Sequence, residues 1–232
     1  ESWRVFALAR RQLAVRNAML GVSWFWFVGT ALTAQLPNYA ESHLGGDETL
    51  YLFALGVFSI GTGIGSLLCE KLSARTVEIG LVPLGAFGMS FFLFDLYFAR
   101  SGVASVAGLE IAGFLRQPGS WRVALDLFGV GMFAGFFLVP LFALIQSRTP
   151  KQELSRVISG VNIQNACFIV LAAVLGIVLQ MEQFTIGSTT IRMPGLGIPQ
   201  LFLCLAIANT LVAIWIFTIV PEFMMRFLSW MF

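Results

Sequence analysis

Charge is what this chain has least of. Only 11% of its 232 residues are Asp, Glu, Lys or Arg, about half the fraction of an ordinary soluble domain. Reactive groups are scarce too, with one histidine and three cysteines. Around His43 alone no Ser-His-Asp set, nucleophile elbow or Cys/His metal spacing can be assembled, so no catalytic residue, metal or cofactor is expected. Cys69, Cys167 and Cys204 are odd in number and fall in or at the ends of apolar runs, which argues against a disulfide framework. A net charge of +2 is too small to imply nucleic acid.

Apolar residues are what the chain has in excess: 58% of the residues, with a mean hydropathy of +0.86. They gather in six runs, Ala18 to Leu36, Leu50 to Cys69, Ile79 to Phe98, Val123 to Ile145, Val157 to Met181 and Gln200 to Val220. A helix rises about 1.5 Å per residue, so about 20 residues cross a hydrocarbon core of roughly 30 Å with every backbone group bonded internally. Barrel strands would be about half that length and would alternate with period two. The expected fold is therefore an all-α membrane protein, a bundle of six transmembrane helices.

The cations set an orientation. Arg4, Arg10, Arg11, Arg16, Lys71, Arg75, Arg148, Lys151, Arg156 and Arg226 lie on the starting side, against Arg100, Arg116, Arg122 and Arg192 on the other. The positive-inside rule then predicts a multi-pass protein with both ends cytoplasmic. The first outer loop, Pro37 to Thr49, carries Glu41, Asp47, Glu48 and no cation, and His43 is read as a solvated loop residue within it. Residues 1–17 form a basic juxtamembrane segment, either an interfacial helix or a solvated linker. Residues 18–220 make the six-helix unit, and 221–232 a cytoplasmic interfacial tail. A chain that opens on Glu1 and stops inside the apolar stretch Phe227 to Phe232 reads as a piece of a longer polypeptide.

Inside the spans, polar and small residues mark the faces that do not meet lipid. Gly56, Gly61, Gly63 and Gly65 of the second run, and Gly129, Gly131 and Gly135 of the fourth, predict close helix packing, because lipid tails are as apolar as Leu and helices in a bilayer associate through small residues. Gly61-Thr62-Gly63-Ile64-Gly65 lies within a continuous span and so is not a nucleotide loop. In the first span Ser23, Trp26, Thr30, Thr33 and Pro37 recur at intervals of three and four and share one face. The fifth span repeats the pattern with Ser159, Asn162, Asn165, Ala172 and Gly176, while Gln164 points elsewhere. Two amides facing lipid would cost several kcal/mol, so they bond between helices or line a polar pathway. Asp95 and Asp126 fall near the outer ends of the third and fourth spans, where Arg122, one helical turn before Asp126, can pair with it or leave it snorkelling.

The turn between the second and third spans resembles an inter-helix motif of major facilitator transporters. The family pattern Gly-x3-Asp-Arg-x-Gly-x-Arg is matched here by Ser66-x3-Glu70-Lys71-x-Ser73-x-Arg75. Ser23-Trp24-Phe25-Trp26, Gly131 to Leu141 with its Gly-Phe-Phe-x-Val-Pro-Leu core, Ala143-Leu144-Ile145-Gln146 and Ile163-Gln164-Asn165 resemble stretches of the bacterial lysophospholipid transporters of that superfamily. The resemblance implies the C-terminal half of a two-lobed carrier in the bacterial inner membrane, with the N-terminal half outside this chain. Its cargo would be lysophospholipid, especially lysophosphatidylethanolamine, moved from the outer to the inner leaflet by alternating access. Ser23, Trp26, Thr30, Thr33, Asn162 and Asn165 would line the pathway, and Ser66, Glu70, Lys71 and Arg75 would form a cytoplasmic gate. Some members carry a fused acyltransferase, which the tail's likeness to their joining segment suggests here; any such activity would lie outside this chain. Carriage of another amphiphile or drug, or service as the anchor of a fused acyltransferase, are the alternatives.

Overall fold

A computed structural model describes residues 13–72, 80–99, 110–186, 189–193 and 195–219. Helix α1 (Leu13–Thr33) is followed after a two-residue turn by α2 (Leu36–Leu44), then come α3 (Glu48–Leu72), α4 (Leu81–Phe98), the short α5 (Ile111–Leu115), α6 (Ser120–Arg148) and α7 (Lys151–Gln180). A hairpin of β1 (Gln183–Ile186) and β2 (Thr189–Arg192) leads into α8 (Ile198–Ile219). Among the described residues, six helical stretches are long and apolar enough to cross a membrane: α1 with α2, α3, α4, α6, α7 and α8. The molecule is a six-helix membrane bundle, as its hydropathy predicts.

Two local features depart from the sequence reading. Pro37 to Leu44 is helical rather than a loop: α1 halts at Thr33, Pro37 takes the first turn of α2, and Gly45 closes the helix at φ 69°. Proline has no N–H to give to a preceding turn but suits a helix start, so it divides one helix into two. His43 accordingly sits on α2, its ring stacked on Tyr39 with centroids 5.5 Å apart. The antiparallel hairpin, pairing Gln183 with Arg192 and Thr185 with Thr190, is the other departure. Its Thr- and Ile-rich strands are too short to stand out beside six long apolar runs.

α6 is the central staff of the bundle, packed along α3 on one side and α4 on the other. A Cβ at Gly61 or Gly65 would strike the α6 backbone at Phe128 or Met132, and one at Gly131 or Gly135 would strike α3 in return. A Cβ at Gly85 of α4 would stand 2.5 Å from the Phe137 nitrogen. These glycines let backbones touch, the contact that drives helix association where burying apolar surface gains nothing. Gly56 and Gly63 do not share the role, since nothing lies within 4 Å of a Cβ there. They belong to the opposite side of α3, which the bundle leaves open.

Gly65→Val is expected to destabilise the protein by about 1–3 kcal/mol through overpacking against Met132, while Gly63→Val stays within about 0.5 kcal/mol. Thermal unfolding of the two variants in detergent reads the difference. At the start of α3, Asp47 caps the helix by accepting from the Thr49 hydroxyl at 2.6 Å and the Thr49 N–H at 2.9 Å. The Thr49 hydroxyl first, then the backbone N–H groups of Thr49 and Leu50, hold the carboxyl below its usual range. A lowered folded-state pKa means the cap is in full force above the unfolded value of about 3.9 and is lost as pH falls through the lower, folded one. The protection of the Thr49 and Leu50 amides, relative to their intrinsic exchange rates, should therefore fall in acid, and Asp47→Asn, which caps without titrating, should remove that dependence.

Candidate functional site

Among the described residues, three polar clusters join helices of the bundle, two of them buried and the third partly exposed. The first joins α1 to α7, where the side chain of Asn165 lies 2.8 Å from Ser23 Oγ. With its nitrogen turned toward Ser23 Oγ and the Val161 carbonyl (3.2 Å), its oxygen accepts from Trp26 Nε1 at 3.2 Å, which satisfies every group in the cluster. Ser23 is fully buried and Asn165 nearly so, whereas Trp26 keeps 39% of its surface exposed. Three of the six residues expected in a polar pathway thus meet at one point. Thr33 is not with them, its hydroxyl bonding back to the Gly29 carbonyl at 2.8 Å. Thr30 is half-buried, and Asn162 is exposed one turn of α7 before Asn165.

The second cluster escaped the sequence reading. Asn209 of α8 accepts from Trp24 Nε1 at 2.8 Å and donates to the Ala86 carbonyl (2.8 Å) and to Ser90 Oγ (2.9 Å). One buried amide therefore ties α8 to α1 and α4. A lone Asn inside the sixth apolar run, opposite a tryptophan in the first, was the available signal, but the amide has no polar neighbours on its own helix to mark a face.

The third cluster corrects an expected pairing. Arg122 reaches across to α4 and grips Asp95 with two bonds, Nε to Oδ2 at 2.9 Å and Nη2 to Oδ1 at 2.5 Å, instead of pairing with Asp126 one turn along its own helix. Asp126 is left only 1% exposed with Oδ2 unpartnered, facing Asp95 and Arg122 and within electrostatic reach of Tyr39. The fork of the guanidinium fits the two oxygens of Asp95 side-on, a geometry that a partner one turn away on the same helix rarely offers. Both acids do lie toward the same end of the bundle, as their positions along the spans required.

At the opposite end, Glu70 and Lys71 are exposed on the last turn of α3, and Ser66 Oγ bonds the Thr62 carbonyl at 2.8 Å. Arg75, the remaining member of the expected gate, lies outside the described residues. Among the described residues no group of three His, Cys, Asp or Glu side chains gathers as a metal site.

α1, α7 and α8 also enclose a crevice of about 620 Å³. Its walls are Trp24, Phe27, Phe168, Leu171 and a set of small residues, and Gln35 and Gln180 stand at one end. The volume lies inside the range of ~300–1,000 Å³ usual for small-molecule sites. Chemically, the arrangement can hold an amphiphile, since it offers apolar walls and amides at fixed points.

The chain is similar to two lysophospholipid transporters named LplT, from Salmonella paratyphi B and Salmonella newport, at 25% identity over 162 residues in each case. The matched stretch is 65% of this chain and 36% of each relative, so the chain spans well under half the length of the proteins it matches. No family model matches the chain, and no solved structure does.

Replacing Asn209 with Leu should cost about 1–3 kcal/mol, since the Trp24 N–H and Ser90 hydroxyl lose their partner inside the bundle. Ser90→Ala, which leaves the amide two of its three bonds, should cost less than half as much. Thermal unfolding of the two variants, with Asn162→Leu as an exposed-amide control expected near zero, checks the ranking.

Proposed function

We propose that this chain is the C-terminal half of a two-lobed carrier of the major facilitator type that moves lysophospholipid, of the lysophosphatidylethanolamine kind, from the outer to the inner leaflet of a bacterial inner membrane. The observation that carries the reading is the 162-residue likeness to lysophospholipid transporters. A six-helix bundle with polar groups on the faces of α1 and α7 is consistent with it.

The uneven burial of the helices supports a missing partner lobe. In α3 and α7 only 22% of the most apolar window is buried, against 61% in α6. Among exposed apolar residues such as Leu52 and Leu67, the uncovered side of α3 also carries Gly56, Ser59, Gly63 and Glu70, and that of α7 carries Ser159 and Asn162 beside Ile163. In a two-lobed carrier these sides would face the other half across a central cavity, and the lobes would rock about the site between them. Asn162 and Trp26 would meet the headgroup from this lobe. Ser23 and Asn165, spent on each other, would brace α1 against α7. Ser66, Glu70, Lys71 and Arg75 would gate the cation-rich end, which the positive-inside rule places in the cytoplasm along with residues 1–17 and 221–232.

Reconstituted into vesicles, the full-length protein should move labelled lysophosphatidylethanolamine between leaflets. Asn162→Leu should lower the rate by tenfold or so, the effect of about 1.4 kcal/mol on the rate-limiting barrier, with unchanged thermal stability. Asn165→Leu should lower both. Movement of unrelated amphiphiles but not lysolipid would reassign the cargo. Normal activity of a fused acyltransferase with no lipid movement would leave the bundle as an anchor.

A further inference from the structure

The crevice among α1, α7 and α8 is distinct from the uncovered sides of α3 and α7 just described, although it takes in Ala172 and Gly176 from the α7 face that carries Asn165. It opens on the side of α1 that carries Trp24, Phe27 and Ala31 rather than on the side of Ser23 and Trp26. Three features give it a polarity and a length. From Trp24 to Gln35 on α1, and from Phe168 to Gln180 on α7, it runs about 16–18 Å along the helix axes, close to the ~15 Å depth of one leaflet of a bilayer's hydrocarbon core. Small residues hollow it out: Ala31, Ala34, Ala172, Gly176 and Ala208 line its length. At the cation-poor end the apolar walls give way to two amides, and there Gln35 Oε1 and Gln180 Nε2 are both buried without a partner.

Those two atoms ask for complementary chemistry. Gln35 Oε1 can only accept and Gln180 Nε2 can only donate, and a buried polar atom left unpaired costs about 1–3 kcal/mol. A ligand that satisfies both presents a donor beside an acceptor oxygen, at the head of a single hydrocarbon chain about one leaflet long. A monoacyl glycerophospholipid has that build, because its glycerol keeps one free hydroxyl beside the ester and phosphodiester oxygens. A diacyl phospholipid has esterified that hydroxyl and has no donor on its glycerol.

Resting on the lysophospholipid reading above, we propose that this crevice is the acyl-chain site of the carrier: the chain of a monoacyl phospholipid lies along α7 past Gly176, and Gln35 and Gln180 hold its glycerol hydroxyl and an adjacent oxygen at the outer end. Gly176 is the point where the site can be closed. The nearest atom to a Cβ there is Gln35 Nε2 at 3.8 Å, so a larger side chain would grow into the crevice without striking backbone.

The test is photo-crosslinking of lysophosphatidylethanolamine bearing a mid-chain diazirine to the full-length protein in phosphatidylcholine nanodiscs. Crosslinks are expected on residues 24–34, 168–179 and 201–208, and Gly176→Leu should abolish them. A lysolipid analogue lacking the glycerol hydroxyl should compete about fivefold less well than the parent against the wild type and equally well against Gln35→Leu, the effect of one hydrogen bond. That comparison does not involve Gly176→Leu, and its wild-type arm is made within a single protein, so it stands even if Gly176→Leu fails to fold. Label on other segments, or equal competition by diacyl phosphatidylethanolamine, overturns the site. If the wild type moves lysolipid in vesicles but crosslinks elsewhere, the crevice assignment falls and the carrier reading survives. Crosslinks in the crevice without movement uphold the site and remove the carrier reading.

Discussion

A bilayer core offers no water, so each polar atom within the bundle must be answered by another atom of the chain or by a ligand. Backbone groups meet this condition by forming helices, and the side chains meet it at a few fixed points. Asn165 answers Ser23 and Trp26, Asn209 answers Trp24 and Ser90, and Arg122 answers Asp95. Each point joins helices distant in sequence, which makes the polar clusters the registration marks of a bundle whose apolar surfaces would pack nearly as well after a small slide or rotation. Amide bonds of this kind are worth only about 0.6–2 kcal/mol each in a membrane. Their importance lies in which alignment they select.

The bundle's larger cohesion comes from close backbone contact. Gly61 and Gly65 against Gly131 and Gly135, with Gly85 on the other flank, bring α3 and α4 directly onto α6. Since lipid competes with any apolar side chain for the same contacts, only surfaces that fit each other better than they fit lipid will associate. Phe133 and Phe136, edge to face at 5.6 Å, fill the space where α6 turns toward α4 and Leu81. Cohesion is accordingly lopsided: α6 is enclosed, while α3 and α7 each keep a broad uncovered side.

How far the sequence revealed this follows from what each signal depends on. Six spans were legible because hydrophobic length is a property of a single segment. The packing role of Gly61, Gly65, Gly131 and Gly135 was legible from their spacing, but the same spacing included Gly56 and Gly63, and only the position of a neighbouring helix separates the two sets. Ser23, Trp26 and Asn165 were legible as polar faces of two helices; that the faces meet is a fact of tertiary structure. Asn209 and the Arg122–Asp95 pair were invisible for the same reason, since each takes its meaning from partners dozens of residues away. The helix at Pro37 to Leu44 was misread because proline both ends one helix and begins the next, and a loop rich in acids looks the same in either case.

Among the described residues, buried side-chain atoms without a partner occur at Asn17, Gln35, Tyr39, Gln117, Asp126 and Gln180, and two groupings of them differ in kind. Asp126 Oδ2 and Tyr39 Oη are closed off from solvent on all sides, with a carboxylate pair and one guanidinium close by. A shared proton or a neutral carboxyl can relieve such a group without any ligand, because two acids beside a single cation need not both be charged. Gln35 and Gln180 cannot relieve themselves with a proton, since an amide does not titrate, and turning it over only exchanges which of its atoms donates and which accepts. They also stand at the mouth of an open crevice rather than within packed helix. An amide that cannot neutralise itself, placed where a molecule can arrive, is most simply answered by that molecule, and this asymmetry is what separates a binding site from a structural imperfection in a protein surrounded by hydrocarbon.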